Sequence, residues 1–591
     1  MDRGLDTGRF TVSLFSAPAP ARPSPAGQPP APAVWQALAL WLLPLAFLLV
    51  FFFIPLGKIL GAAGQGLLQS GLSPTAAERL LRAVGFTFYQ AALSTLLTLL
   101  VGLPGAYVFA RFNFPGKRLL RLLSTLPFIL PTVVVAAAFN ALIGPRGWFN
   151  LLAMEWFNLS APPLNLLNSL PAILLAHVFY NTTIILRVVG SAWEQLDPRL
   201  EAAARVLGAS PWRAFREVTL PLLRPPLLAA GLLVFLFDFT SFGVILLLGG
   251  AHYATLEVEI YIQALHMLNL PLAGLLSLVQ LLCTLLLTVI YTRAASRLNI
   301  PLTPRLRGEG AASPRSLTQK VLVGTVVLML FALLILPLTA LAARSVVRLE
   351  AARGQRGTFE SGLTLDYYRE LFVNRRGSLF YVPPIQAARN SLLYAGVTVG
   401  ISLGLGLPAA AALSRRSPLN RLLDPLLMLP LGASAVTLGL GFILTFNRPP
   451  LEARSFPLLI PIAHSLVAFP FVVRTLTPVL NSIPLNLRQA AAVLGASPLR
   501  VWLEVDLPIL ARAALVAAIF SFTISLGEFG ATSFLARPEF PTLPVAIFRF
   551  ISQPGGLNYG QALAMSTLLL GVCGVGIALL ERLQLPDERS R

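Results

Sequence analysis

Twelve apolar runs, each long enough to cross a bilayer, limit this chain to folds in which lipid is the solvent. They lie near 35–57, 86–110, 120–143, 169–190, 225–248, 269–292, 320–343, 388–413, 421–446, 457–480, 510–535 and 558–580. A helix needs roughly 20 residues to span the hydrocarbon layer, and these runs meet that length. Membrane strands would alternate apolar and polar residues over about ten positions, which these runs do not do. The expected fold is therefore all-α and integral to the membrane, with about 12 transmembrane helices. Composition agrees, since 56% of the residues are hydrophobic and 12% charged, whereas a soluble domain is about 25% charged.

Lys and Arg number 45 against 25 Asp and Glu. In so apolar a chain, this excess points to short basic loops rather than to a nucleic-acid surface. With the amino terminus placed in the cytoplasm, the loops on that side hold 27 Lys and Arg; the opposite loops hold 15, seven of them in the long loop 344–385. Long loops weigh little in this rule, so both termini are expected in the cytoplasm. Residues 1–33, rich in Pro, Ala, Ser and Gly, read as a disordered tail. The run that follows is too long for a cleaved leader and reads as a retained first span.

The chain also repeats itself. Adding 287 to a position in the first half carries His177 to His464, Arg187 to Arg474, Gly208 to Gly495, Pro221 to Pro508 and Phe242-Gly243 to Phe529-Gly530. Earlier, Gly102-Leu103-Pro104 matches Gly406-Leu407-Pro408 at an offset of 304, the difference being a longer loop near 144–168. The expected organisation is a first six-helix repeat at 34–292, a basic connector at 293–319, a second repeat at 320–581 and a tail at 582–591. Six is even, so the repeats are parallel, related by an axis along the membrane normal. The two Gly-Leu-Pro motifs are expected to kink their helices.

The loops at 196–224 and 483–511 contain the strongest match: residues 201–221 and 488–508 are identical at thirteen of 21 positions. Loops tolerate change more readily than spans, so such agreement points to a shared task. Local physics predicts an Ala-rich helix ended by a left-handed Gly208 or Gly495. Ser210 or Ser497 then caps a second helix with Pro211 or Pro498 at its first position. That second helix is expected to be short and closed off by Leu220-Pro221 or Leu507-Pro508.

This pattern resembles the EAA loop of ABC importer permeases, in which Glu-Ala-Ala is followed by Gly and then Leu-Pro. On the first loop, the likeness rests on Glu201, Ala203, Ala204, Gly208, Ser210, Pro211, Leu220 and Pro221. On the second, it rests on Gln489, Ala490, Ala491, Gly495, Ser497, Pro498, Leu507 and Pro508. Counted back from the glycine, the family Glu falls on Ala202 and Gln489, with Glu201 one residue early, a departure in both copies. Two fused halves with two such loops are similar to the permeases of ferric-iron and thiamine importers. The resemblance implies a type I importer permease in a bacterial cytoplasmic membrane that forms the path for a small solute or ferric iron. It implies docking of two copies of a cytoplasmic ATPase and delivery of solute by a soluble binding protein. No cofactor is expected on this chain; without a phosphate-binding GxxxxGK[ST] motif, ATP and Mg belong to the partner.

Ionisable groups inside spans are costly and usually face a bundle interior or water. Asp238 and Glu528 occupy nearly matching places, three positions out of register, and with Ser241, Phe242 and Phe529 are candidates to line the path. The alternative is that both carboxylates brace helix packing, and bracing is also the expected role of His177 and His464. An ion-coupled secondary transporter also uses repeats and twelve spans, but gives no reason for the duplicated loop. A membrane enzyme would need a dense constellation of reactive groups at one face, which the scattered charges do not supply.

Overall fold

The computed structural model describes residues 34–71, 73–297, 312–348, 362–373, 383–415, 417, 419–449, 451–452 and 456–584. The expected tail at 1–33, the middle of the connector, and parts of the 344–385 loop including Arg375 and Arg376 lie outside the described residues, as does 585–591.

Among the described residues, eleven helices are long and apolar enough to cross a membrane, and a bent pair makes a twelfth. In chain order they are α1 (Leu40–Leu68), α2 (Pro74–Arg111), α3 (Thr132–Phe157), α4 (Leu170–Gln195), α5 (Pro211–Phe239), α6 (Leu270–Ala294), α7 (Leu317–Arg344), α8 (Pro384–Leu413), α9 (Asn420–Gly432 with Ala435–Thr445), α10 (Leu459–Ser482), α11 (Pro498–Gly527) and α12 (Gly556–Gly576). Local chemistry sets their starts. Ser73 accepts from the Ala76 amide ahead of α2, and Ser316 with Gln319 forms a reciprocal cap on α7.

Each half is built on a tight triad, α2 with α4 and α5 in the first and α8 with α10 and α11 in the second. Small residues allow the close approach. A Cβ on Gly102 would lie 2.7 Å from the Ile185 Cβ, and one on Gly406 would lie 2.4 Å from the Val472 Cγ1, at equivalent places in the repeat. Both α2 and α8 continue through their prolines. The same stitching recurs farther out: Leu256 N–H donates to Thr87 Oγ1 at 3.0 Å, and Leu543 N–H donates to Ser391 Oγ at 2.7 Å.

The first helix of each half bridges to the other half. α1 packs on α6 of its own half and on α8 and α9 of the second, and α7 packs on α2 and α3 of the first half and on α12 of its own. The packing of α3 against α12 adds to this reciprocal embrace.

Four apolar runs that read as single spans are broken in the structure. The expected span 120–143 divides into the short helices Lys117–Leu123 and Leu126–Ile129 and a third that starts at Thr132, with Pro127 and Pro131 at the restarts, so the membrane-crossing helix there runs Thr132–Phe157 instead. The run 421–446 bends by 96° between Gly432 and Ala435. The runs 225–248 and 510–535 stop at Phe239 and Gly527, then restart as the short helices Gly243–Leu248 and Gly530–Leu535. At the second restart, the Glu528 carboxylate accepts the amides of Ala531 at 2.7 Å and Thr532 at 3.0 Å, supplying partners that a broken helix would otherwise lack.

Candidate functional site

The two matching loops adopt the same conformation. The first contains the helix Pro198–Val206 and the second the helix Leu485–Val493. Both end at a left-handed glycine, Gly208 with φ +92° and Gly495 with φ +82°. Ala209 N–H reaches back to the Ala204 carbonyl at 3.0 Å, and Ala496 N–H to the Ala491 carbonyl at 3.1 Å, closing the helix ends. Ser210 and Ser497 then accept the amides of Arg213 and Arg500, with Pro211 and Pro498 opening the next helix. Each of these features was expected from the sequence.

The second helix is not short, and Leu-Pro does not close it. It passes through Leu220-Pro221 or Leu507-Pro508 and continues as α5 or α11. A π turn at Phe215–Thr219 and again at Trp502–Asp506 precedes each Leu-Pro pair. Proline lacks the N–H that the regular ladder would use, and the widened turn absorbs that loss without ending the helix. Each loop is therefore continuous, through one helix, with a membrane-crossing span.

Both loops expose the same apolar residues between helices α4 and α5 or α10 and α11. Val206 and Leu207 are each 88% exposed, and Val493 and Leu494 are each 87% exposed. Trp212 and its counterpart Leu499 project beside them, also exposed. Adjacent Ala203 and Gln489 with Ala490 are exposed, while Ala204 and Ala491 are partly covered. The same apolar patch is thus exposed at two equivalent places in the repeat.

Deeper in each half lies a histidine–carboxylate cluster. His177 contacts Ser94 Oγ through Nδ1 and Ser241 Oγ through Nε2, both at 2.9 Å, and its Nδ1 is 3.4 Å from Asp238 Oδ1. Asn181 donates to the same Asp238 oxygen at 2.7 Å. In the second half, His464 contacts Ser525 Oγ at 2.7 Å and Thr532 Oγ1 at 2.8 Å, with Glu528 Oε2 at 3.1 Å. The repeat carries Asp238 onto Ser525 and Ser241 onto Glu528, so acid and serine have traded places one helical turn apart. Both carboxylates are buried and tied within their own half.

The halves meet through aromatic rings. Phe242 and Phe529 stack with centroids 5.5 Å apart and planes at 22°. Phe242 also packs on Tyr261 at 5.4 Å, and Phe529 on the equivalent Phe548 at 5.4 Å. The glycine after each phenylalanine is required by close approach: a Cβ on Gly243 would lie 2.2 Å from Thr132 Oγ1, and one on Gly530 2.9 Å from Ala435 Cβ. Of the five residues grouped by sequence, Phe242 and Phe529 are thus in contact across the halves, while Asp238, Ser241 and Glu528 sit in the histidine clusters.

Sequence reasoning passed over Glu257. It is fully buried and accepts from Gln280 Nε2 at 2.9 Å, while its repeat equivalent is Pro544. It falls between two apolar runs, where a search confined to spans does not look. The pair Glu257 and Glu259 inside the apolar segment 255–262 was the available signal.

Comparison with known proteins agrees with this architecture. Residues 101–300 and 398–583 each match the family described as binding-protein-dependent transport system inner membrane component. The thiamine transport system permease protein ThiP of Escherichia coli (strain K12) is 28% identical over 516 residues, covering 85% of this chain and 88% of that protein. ThiP of Brucella abortus (strain 2308) is also 28% identical, over 502 residues, covering 84% of this chain and 87% of that protein. A crystal structure of a bacterial ABC transporter involved in import of the acidic polysaccharide alginate aligns with 45% of this chain and 96% of its own, at 18% identity and a TM-score of 0.37. With two family matches covering more than half its length and two six-helix repeats in one polypeptide, this chain belongs to the inner-membrane permeases of binding-protein-dependent ABC importers.

Proposed function

We propose that this chain forms the translocation pathway for a thiamine-class organic cation. A soluble binding protein delivers the solute, and two copies of a separate ATPase drive transport by docking on the two loops. The observation that carries this reading is the pair of loops, alike in conformation and in their exposed Val-Leu surface. In this reading the loops and both termini face the cytoplasm, as the distribution of basic residues favours. ATP and Mg belong to the ATPase, whose closure would push the loops together and displace α5 and α11, the helices continuous with them.

Phe242 and Phe529 stack where the halves touch, and their separation would open a path between them. Asp238, Ser241 and Glu528 set acid and hydroxyl groups behind those rings. A cationic ring gains from aromatic faces and from a weakly acidic surround. The thiamine permeases among the relatives favour thiamine over ferric iron as the solute class.

The test is ATP hydrolysis by the chain in nanodiscs with its ATPase and binding protein. Thiamine-loaded, ferric-iron-loaded and empty binding proteins would be compared. Stimulation by the thiamine-loaded protein alone is expected. Stimulation by iron alone would overturn the solute assignment, and failure of any ATPase to associate would overturn the role of the loops.

A further inference from the structure

The surfaces of the two loops match, but what supports them does not. In the first half, Arg111 at the end of α2 donates to Glu201 at 3.1 Å, with the two side chains 15% and 30% exposed, and Thr219 donates to the same carboxylate at 3.4 Å. An aromatic ladder runs alongside. Tyr107 on α2 meets Trp193 at 5.3 Å, Trp193 stacks on Phe215 at 6.0 Å, and Phe215 stacks on the exposed Trp212 at 5.6 Å. The connector adds a third tie, since Asn113 N–H donates to the Ala312 carbonyl at 3.0 Å and Ala312 N–H to the Arg111 carbonyl at 3.1 Å. Next to these bonds, Lys117 donates to the Phe112 carbonyl at 2.8 Å, and partial burial holds its ammonium below the usual lysine range.

Among the described residues, neither the ion pair to the preceding core helix nor the four-ring ladder is repeated in the second half. The ladder positions become Ala411, Leu480, Trp502 and Leu499, one ring in place of four. The counterpart of Glu201 is Arg488, which donates to Asp506 at 2.7 Å within its own loop. Arg415, the counterpart of Arg111, makes no ion pair among the described residues. The second loop is therefore joined to its core through the continuous helix α11 and through Trp502, which packs on the apolar cluster of Ala410, Leu476, Leu480 and Leu510, without the ion pair and the ring ladder that tie the first loop to α2.

We propose that the two ATPase-docking loops are mechanically unequal. The first is a rigid station that passes displacement directly into α2 through Arg111–Glu201 and the four-ring ladder. The second is a compliant station whose Arg488–Asp506 pair holds only the loop's own shape. Packed and paired groups with two discrete arrangements transmit displacement, whereas a loop with fewer lateral ties absorbs more of it. Arg111 and Glu201 are positioning residues, because they touch neither solute nor nucleotide in this scheme. The inference rests on reading the loops as ATPase stations, and it uses the fusion of both halves in one chain, which lets each station be altered alone.

The test uses the full chain in nanodiscs with its ATPase and loaded binding protein. Arg111→Glu is expected to lower solute-stimulated ATP hydrolysis about fivefold, the scale of one partly shielded ion pair, while the ATPase still co-purifies. Arg111→Glu combined with Glu201→Arg should restore it. Arg488→Gln is expected to change the rate less than about twofold. The pair Arg488→Glu with Asp506→Thr copies the first loop into the second and should make hydrolysis newly sensitive to Arg415→Glu. If Arg111→Glu does not fold, Trp193→Leu breaks the ladder instead and should produce a comparable loss. Equal losses from the two loops, or no loss from either first-loop variant, would overturn the inequality. Failure of the wild-type chain to hold any ATPase is a different result, because it removes the docking reading and this inference with it before a variant is compared.

Discussion

Replacing the loop glycines isolates one backbone effect. Gly208 and Gly495 have φ of +92° and +82°, and a Cβ built on either meets no atom within 4 Å. Alanine would therefore clash with nothing, and its whole cost is the left-handed backbone, about 1–2 kcal/mol per residue. In the free chain the exposed loop can relax that strain by turning away from its present shape, giving up the bonds from Ala209 and Ala496 to Ala204 and Ala491. Docking would impose the shape again, so the cost should appear in partner affinity rather than in the melting temperature. Since about 1.4 kcal/mol is a tenfold change, Gly208→Ala should weaken ATPase binding roughly 5- to 30-fold. Asparagine accepts left-handed geometry, so Gly208→Asn should stay near wild type. Changing both glycines to Asp should abolish association while leaving the membrane fold intact. The assay is titration of the ATPase onto nanodisc-held chain, with thermal unfolding as the control. Equal affinities for the Ala, Asn and wild-type chains would refute the claim that this turn is the docked conformation.

Three further outcomes are expected. Gly102→Ala and Gly406→Ala should each destabilise the fold by about 1–3 kcal/mol in thermal unfolding, because the new methyl meets Ile185 or Val472; adding Ile185→Ala should recover part of the first loss. Phe242→Ala with Phe529→Ala should speed ATP-independent leakage of solute from loaded proteoliposomes several-fold, since an aromatic pair contributes about 0.5–1.5 kcal/mol to the closed contact; an unchanged leak would place the barrier elsewhere. Asp238→Asn keeps the shape of its cluster and is expected to slow cation transport with little change in melting temperature, whereas Glu528→Gln leaves one of the two amides at the helix restart without its acceptor and should slow transport and lower the melting temperature as well. Equal transport rates at every solute level would leave these carboxylates a bracing role alone.

Much of this protein is local and was therefore legible in the sequence. The number of spans follows from apolar length, because lipid cannot satisfy an exposed backbone and each run must close its own hydrogen bonds. The loop turn also follows, since Gly208, Ser210 and Pro211 act on partners within five residues. The offset of 287 established that whatever one half does locally, the other does again.

Tertiary structure decided what depends on distant partners. The breaks near Thr240 and Glu528 were hidden because the flanking runs are apolar on every face, so no periodicity marks where a helix stops. His177 finds Ser94 83 positions away and Ser241 64 positions away. The bridging of α1 and α7 between halves left no trace in composition, since an apolar face can be covered by lipid or by another span alike. Sequence identity made the two loops look interchangeable. Their supports differ because Arg111, Tyr107 and Trp193 come from other helices, and only folding brings those residues beneath the first loop.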